Sequence, residues 1–262
     1  MPTTYAHDLF GKMVYQRLNP ELKQVIKRYQ TTYQIGLHGP DILFYVRPFH
    51  SNRFNRMAHR LHEEEAMNFF ERGRKLYQRT GEEEVLVYLL GFICHFMLDS
   101  TCHPYIGEYM KKTGAGHDEI ETEFDRSLME LTGKDPFHYQ PGSVLHIERN
   151  SVKVISEVLE GMSHKDIVRA LMGTKFYTKL PICESEQKRR IKLAISRVFF
   201  VHRFADGRII RKEPKQICLE STEHLTVLFR KAVPEAVEMI EDYYKERNQS
   251  GRLNARFERN YK

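Results

Sequence analysis

The longest apolar run of the chain, Val85 to Leu98, is the feature that most constrains its fold. The run has 14 residues and contains His95, whereas a helix that crosses a bilayer needs about 20 apolar residues. Because it is apolar on every side, other elements must surround it. We therefore expect no transmembrane segment but a buried central helix over Glu82 to His103. That helix should end at His103, since Pro104 disfavours helical backbone there.

The rest of the chain shows helical rather than strand periodicity. The polar region 205–220 contains the turn residues Asp206-Gly207, so a short hairpin there is an alternative prediction. We predict an all-α, single-domain multi-helix bundle over residues 1–245, followed by a basic tail over 246–262. The other predicted helices are Thr4–Leu18, Pro20–Tyr33, Asn52–Arg79, His117–Leu131, Ser143–Met162, Ser163–Met172, Glu184–Phe204 and Ser221–Arg247.

Composition agrees with a folded protein in a reducing compartment. Of the 262 residues, 41% are hydrophobic and 29% are charged, which favours a packed core over disorder. The net charge of +6 suits an anionic partner. Met1 is not followed by a basic stretch and an apolar run, and the four cysteines do not form a disulfide framework. We therefore expect a cytoplasmic protein.

The central helix carries a regular set of metal-ligand residue types. His95, Asp99 and His103 are spaced by four residues, so all three lie on one helix face. Burying two imidazoles and a carboxylate is costly unless something satisfies them. Zinc takes these donors in tetrahedral sites. A buried, hydrogen-bonded His–Asp pair is the alternative interpretation.

A second pair opens the next predicted helix. His117 and Glu121 are also four residues apart, and a glycine-containing loop joins them to His103. That loop could bring His103 and His117 to the same ion. Taken alone, the pair is more typical of a solvated acidic first turn.

Further candidates lie earlier in the chain. Asp41 follows Gly39-Pro40, which is a turn signature. His59 and His62 are one helical turn apart, and we favour His62 as the ligand. His7 lies on the stripe of the first helix. An ordinary turn aspartate and structural histidines are the alternatives for these positions.

In their order along the chain, these residues resemble the zinc-dependent phospholipase C family, which belongs with the S1/P1-type nucleases. The resemblance extends over roughly residues 1–130. It implies an all-α fold with a metal cluster in a cleft and hydrolysis of phosphate esters. It also implies that eight residues bind two or three Zn²⁺ ions: Asp41, His62, His95 and Asp99 one ion, His103, His117 and Glu121 a second, and His7 with Asp99 a third.

The same resemblance assigns a catalytic role to Asp41, which would orient or deprotonate the attacking water. Family members that are secreted and processed begin with a tryptophan whose amine and carbonyl bind the third zinc. This chain begins with Met1 and Pro2, so the resemblance does not decide whether a third zinc site is present. The spacing from Asp99 to His103 is also shorter than in many relatives.

The leading functional hypothesis is a zinc-dependent phosphoesterase that hydrolyses a phosphodiester, phospholipase C-like, through a metal-activated water. Its partners would be the phosphate-ester substrate and, transiently, a membrane surface. The alternatives are an S1/P1-type nuclease or nucleotide phosphoesterase, and a non-catalytic metal-binding helical protein. A lipid head group would need an aromatic cage, for which the candidates are Tyr5, Phe44, Tyr45 and Phe49.

A nuclease would need basic residues and aromatic rings for stacking. The tail offers both, although a solvated or frayed end is the more common fate of such a segment. The residues concerned are Arg252, Arg256, Arg259, Phe257 and Tyr261.

Overall fold

The chain is all-α in the part that the computed structural model describes, residues 4–198, 201–211 and 213–262. Short 3-10 turns connect some of the helices, and the one that matters below is Gly39–Tyr45. The α-helices of the described residues are α1 (Thr4–Arg17), α2 (Pro20–Arg28), α3 (Gln30–Gly36), α4 (Arg53–Glu63), α5 (Ala66–Thr80), α6 (Glu83–Thr113), α7 (His117–Leu131), α8 (Arg149–Val158), α9 (His164–Tyr177), α10 (Glu186–Val198), α11 (His202–Arg208) and α12 (Leu219–Glu246).

Helix α6 is the axis of the fold, with α3 and α12 packed against it. Every residue from Val85 to Leu98 is buried, so the prediction of a buried central helix is confirmed. By length and composition α6 could span a membrane, but 94% of its most apolar window lies inside the protein. Helices α3 and α6 touch backbone to backbone, since a Cβ added to Gly91 would lie 3.0 Å from the Cα of Gly36.

The central helix is longer than the sequence predicted. It continues through Pro104, so the predicted end at His103 is wrong. Proline inside a helix removes a hydrogen bond and costs about 3 kcal/mol. The turns after it offset that cost by burying Ile106 and Tyr109, and the Tyr109 hydroxyl donates a hydrogen bond to a backbone carbonyl at 2.8 Å. Tertiary packing thus outweighs the local preference and keeps His103 in regular helix.

Region 205–220 contains no hairpin in its described residues. Residues up to Arg208 belong to α11, and α12 begins at Leu219. Helix α11 packs against α7, where Arg208 pairs with Asp118 at 2.6 Å. These contacts with a distant helix select helical structure over the turn that Asp206-Gly207 suggests. The predicted helix Glu184–Phe204 is also interrupted, and residues 199–200 within it lie outside the described residues.

Two other predicted helices are each broken in two. The pattern over Pro20–Tyr33 is interrupted at Tyr29, which separates α2 from α3. The pattern over Asn52–Arg79 is interrupted between Glu63 and Ala66, which separates α4 from α5. In contrast, α7 has the predicted bounds.

The segment after α12 packs against the rest of the protein. Leu253, Phe257 and Tyr261 are buried in the same core as the helices. The ring of Phe257 lies 4.4 Å from the ring of Phe70. The expectation of a solvated or frayed end is therefore wrong for these side chains. The segment is held against α5 and α6, since the ring of Phe257 also packs against that of Phe96 at 5.7 Å between centroids.

Candidate metal centre

Three potential ligands extend from one buried face of α6. The His95 Nε2 atom lies 3.2 Å from a carboxylate oxygen of Asp99, and the same oxygen lies 3.9 Å from Nδ1 of His103. The fourfold spacing stacks these side chains one turn apart. Because α6 is surrounded by packed helices, its backbone holds the three donors at fixed separations.

The first group of donors joins Asp41, His62 and His95, whose ligand atoms all lie within 4.8 Å of one another. Asp41 comes from the turn Gly39–Tyr45, and its Oδ1 is 3.1 Å from Nε2 of His62. The Nδ1 of His62 contacts the Ala58 carbonyl at 2.7 Å. That bond occupies Nδ1 and directs Nε2 toward the carboxylates.

His62, rather than His59, reaches this group. His62 is buried, whereas His59 is exposed and packs its ring edge against Phe44 at 4.9 Å between centroids. The difference follows from the position of the two residues on α4, since a step of three residues rotates the side chain by about 300°.

The second group joins His7, His95 and Asp99. The Nε2 of His7 lies 3.2 Å from Oδ1 of Asp99, and its ring stacks on that of His95 at 4.4 Å. His95 belongs to both groups, and Asp99 lies 3.6 Å from Nε2 of His62, so the first and second groups adjoin. Met1 and Pro2, whose amine would complete a third ion site by the resemblance, lie outside the described residues.

The third group joins His103, His117 and Glu121. The Oε1 of Glu121 lies 3.3 Å from Nε2 of His103 and 3.0 Å from Nε2 of His117. A three-residue loop, 114–116, turns the chain from α6 into α7 and brings the two histidines together. The side chain of His117 is 36% exposed, so this group is the one that solvent reaches.

The donors of the centre fit a zinc ion. Several of their buried atoms have no hydrogen-bond partner within the described residues, and imidazole nitrogen and carboxylate oxygen are donors that zinc takes. Atoms of this kind are costly to bury alone, and a shared cation satisfies all of them together. They are Nε2 of His95, Oδ1 of Asp41, Oδ2 of Asp99 and Oε2 of Glu121.

Burial and charge set the protonation of the centre when it holds no metal. Burial lowers the pKa of His95 to about 4. Burial also acts against the charged form of His62, but the adjacent carboxylates of Asp41 and Asp99 outweigh this effect and raise its pKa to about 10. For Asp99, burial favours the neutral acid, yet the surrounding imidazoles, His95 first, hold its pKa well below the usual range.

The third group follows the same pattern. Burial acts against the charged form of His103, but Asp99 and Glu121 outweigh it and raise its pKa to about 9. Burial favours the neutral form of Glu121, while His117 and His103 hold its pKa well below the usual range. The carboxylates are therefore ionised and ready to bind a cation, and zinc has to displace protons from imidazoles.

An apolar cavity of about 560 Å³ lies on a different side of α7 from the third group, and none of the eight predicted ligands lines it. It borders α7, where Asp118 and Thr122 line it one residue after the potential ligands His117 and Glu121, or about 100° around the helix. Tyr45, from the same turn as Asp41, also lines the cavity. The other aromatic residues in its wall are Phe49, Tyr139 and Tyr177.

The four aromatic residues proposed for a head group separate into two sets. Tyr45 and Phe49 line the cavity, whereas Tyr5 and Phe44 are packed in the core. The residues proposed for base stacking, Phe257 and Tyr261, are also buried in the core. A stacking platform at these two side chains is therefore ruled out.

Sequence reasoning missed one residue of the centre's surroundings. The backbone carbonyl of Tyr261 lies 2.7 Å from Nδ1 of His103, 158 positions away in the sequence. No local sequence pattern predicts a contact between residues so far apart. The only local signal for a buried segment is that Leu253, Phe257 and Tyr261 are apolar or aromatic within a basic tail.

Comparison with known proteins identifies the family. The sequence model of a family described as zinc-dependent phospholipase C matches residues 4–169. The match covers more than half of the chain and includes all eight predicted ligands. No curated protein and no solved structure matches the chain significantly. The family supports a zinc-dependent phosphoesterase, which agrees with the imidazole and carboxylate donors described above. The chain belongs to the zinc-dependent phospholipase C family.

Proposed function

We propose that the protein hydrolyses a phosphodiester that carries a long apolar chain, as in a phospholipid. The observation that carries this proposal is the apolar cavity that borders α7, the helix that also carries His117 and Glu121. Ligand sites are usually apolar cavities of this size with a few polar groups that fix orientation. The apolar substituent of a phosphate at the metal centre would have to extend around α7 to enter the cavity, which Asp118 and Thr122 line about 100° from His117 and Glu121.

In the proposed reaction, the ligand groups would divide the zinc ions among them. When bound, two or three zinc ions would supply Lewis acidity and a water of lowered pKa. One ion would be held by Asp41, His62, His95 and Asp99. A second would be held by His103, His117 and Glu121, and a third by His7 with Asp99. Asp41 would orient the attacking water or take its proton; its buried carboxylate lies in the first group of donors, with Oδ1 3.1 Å from Nε2 of His62.

A lipid substrate also accounts for a surface beside the cavity. Three apolar side chains on α10 are exposed, Ile191, Ile195 and Val198, and Ile195 also lines the cavity. Arg190 and Arg197 of the same helix are exposed as well. A helix that combines apolar and basic side chains in this way suits the surface of an anionic membrane. We therefore include transient contact with such a membrane in the proposal.

The test compares substrates that share a head group but differ in chain length. The zinc-loaded protein is assayed below the micellar concentration with phosphatidylcholines of increasing acyl length, and with an oligonucleotide. Each methylene that enters the cavity should raise kcat/KM by up to about fourfold, the equivalent of about 0.8 kcal/mol. Rates that are independent of chain length, or faster cleavage of the oligonucleotide, would contradict the proposal.

A matched pair of variants tests the membrane contact. Ile191→Ser combined with Val198→Ser removes exposed apolar area from α10 without touching the metal centre. Val227→Ser removes a similarly exposed side chain from α12. The first variant should bind less to phosphatidylserine-containing vesicles in a sedimentation assay, and the second should bind as the unmodified protein does. Equal binding by all three proteins would remove α10 from the proposal.

A third outcome separates the enzyme from a non-catalytic relative. A protein that retains its full zinc content but turns over no phosphodiester would be a metal-binding helical protein. Zinc content and turnover therefore have to be measured on the same preparation.

A further inference from the structure

Residues 252–262 form a segment that runs back from α12 to the metal centre and closes the break between α4 and α5. The backbone N–H of Tyr261 donates to the carbonyl of His62 at 3.2 Å, and that of Ala66 donates to the carbonyl of Arg259 at 3.0 Å. Helix ends leave such groups without a partner inside the helix. The segment therefore caps the end of the helix that carries His62 and the beginning of the next helix.

Tyr261 contacts two separate groups of potential ligands. Its carbonyl accepts a hydrogen bond from Nδ1 of His103 at 2.7 Å, which leaves Nε2 of His103 directed at Glu121. Its buried ring packs against the rings of His62 and His95, at 5.3 and 5.8 Å between centroids. One residue thus supports histidines that belong to both the first and the third group.

The hydrogen-bond partner of His103 Nδ1 comes from outside its own helix. His62 makes the corresponding bond within its own helix, through Nδ1 and the carbonyl of Ala58. His103 instead relies on a carbonyl from a distant part of the chain. A ligand histidine needs such a partner because the bond fixes the tautomer and the orientation of the ring.

We propose that the 252–262 segment is a positioning element of the metal centre. The carbonyl of Tyr261 fixes the ring of His103 with Nε2 toward the metal, and the ring of Tyr261 holds His62 and His95 in place. The segment acts through the ligands and does not contact the substrate. It also lies outside residues 4–169, the part of the chain that the family model matches. The inference concerns metal binding, so it stands or fails independently of the lipid substrate.

A truncation tests the proposal directly. Ending the chain at Asn260 removes Tyr261, whereas Lys262→Ala removes only an ion pair with Glu63 and keeps the Tyr261 carbonyl. Zinc affinity is measured stepwise by competition with a chelator, and helix content by circular dichroism. Loss of the partner of a ligand histidine typically lowers metal affinity by about 10- to 100-fold. We expect that loss in at least one binding step for the truncated chain and none for Lys262→Ala.

The proposal is overturned if the truncated chain keeps its helix content and binds every zinc with unchanged affinity. A second measurement on the full chain covers the case in which the truncated chain does not fold. Long-range ¹H–¹⁵N NMR of the zinc-loaded protein should show His103 protonated at Nδ1 and bound to zinc through Nε2. Zinc at Nδ1 of His103 would overturn the proposal, because the bond to the Tyr261 carbonyl could not then exist.

Discussion

Gly39→Ala tests whether the turn that carries Asp41 also positions His95. Gly39 has a φ of +47°, and a Cβ at this residue would lie 2.6 Å from Cγ of His95. Ordinary contacts begin near 3.4 Å, and Cδ2 of the same ring would lie closer than Cγ, so the imidazole would have to move by at least about 0.8 Å. No open space receives the ring, because His95 is fully buried and stacked on His7.

The expected cost has two parts that a control can separate. A left-handed backbone costs a residue with a side chain about 1–2 kcal/mol, and overpacking a core costs about 1–3 kcal/mol. Gly39→Ala should therefore destabilise the protein by about 2–5 kcal/mol. Gly81 has a φ of +68° and nothing within 4 Å of its added Cβ, so Gly81→Ala should show only the first part.

The assay combines unfolding by denaturant with zinc analysis of the same samples. Gly39→Ala should be less stable than Gly81→Ala by about 1–3 kcal/mol and should lose zinc, while Gly81→Ala keeps the full zinc content. A displacement of about 1 Å can also cost about 100-fold in rate. Equal destabilisation of the two variants, with zinc retained in both, would refute the reasoning.

Three further results are expected. Against the effect of burial, neighbouring carboxylates raise the pKa of His62 to about 10 and that of His103 to about 9. Zinc uptake near neutral pH should therefore release protons, and zinc affinity should increase as the pH rises toward those values. Calorimetry in buffers of different ionisation enthalpy detects the proton release. Identical heats in all buffers would contradict it. Asp99→Asn should lose at least one zinc equivalent with its helix content retained, as shown by mass spectrometry of the metal and circular dichroism. Gly91→Ala should destabilise the protein by about 1–3 kcal/mol in denaturant unfolding, because its Cβ would meet the backbone of α3, whereas Gly107→Ala on the same helix has open space and should not.

The features that sequence analysis predicted well depend on short-range periodicity. The buried character of α6 follows from one apolar run. The shared face of His95, Asp99 and His103 follows from their fourfold spacing. The same reasoning gave the bounds of α7, where the acidic first turn and the ligand pair lie close together in the sequence.

The features that it missed depend on contacts between distant residues. Pro104 stays helical because Ile106 and Tyr109 are buried by other elements, and no local preference reports that burial. The part of region 205–220 that belongs to α11 is helical because it packs against α7, in spite of the turn residues Asp206-Gly207. The bond between Tyr261 and His103 joins positions that local patterns treat as independent. His59 and His62 were distinguishable only weakly, because the face of α4 that turns inward depends on its neighbours.

The position of His95 has a consequence for biosynthesis. Its ring packs against that of His7, from α1, and against that of Tyr261, from a much later part of the sequence. A chain still emerging from the ribosome contains His7 and His95 long before Tyr261 has been synthesised. The aromatic contacts around His95 are therefore complete only after Tyr261 has left the ribosome. We expect a nascent chain that has not reached Tyr261 to bind zinc more weakly than one that includes it.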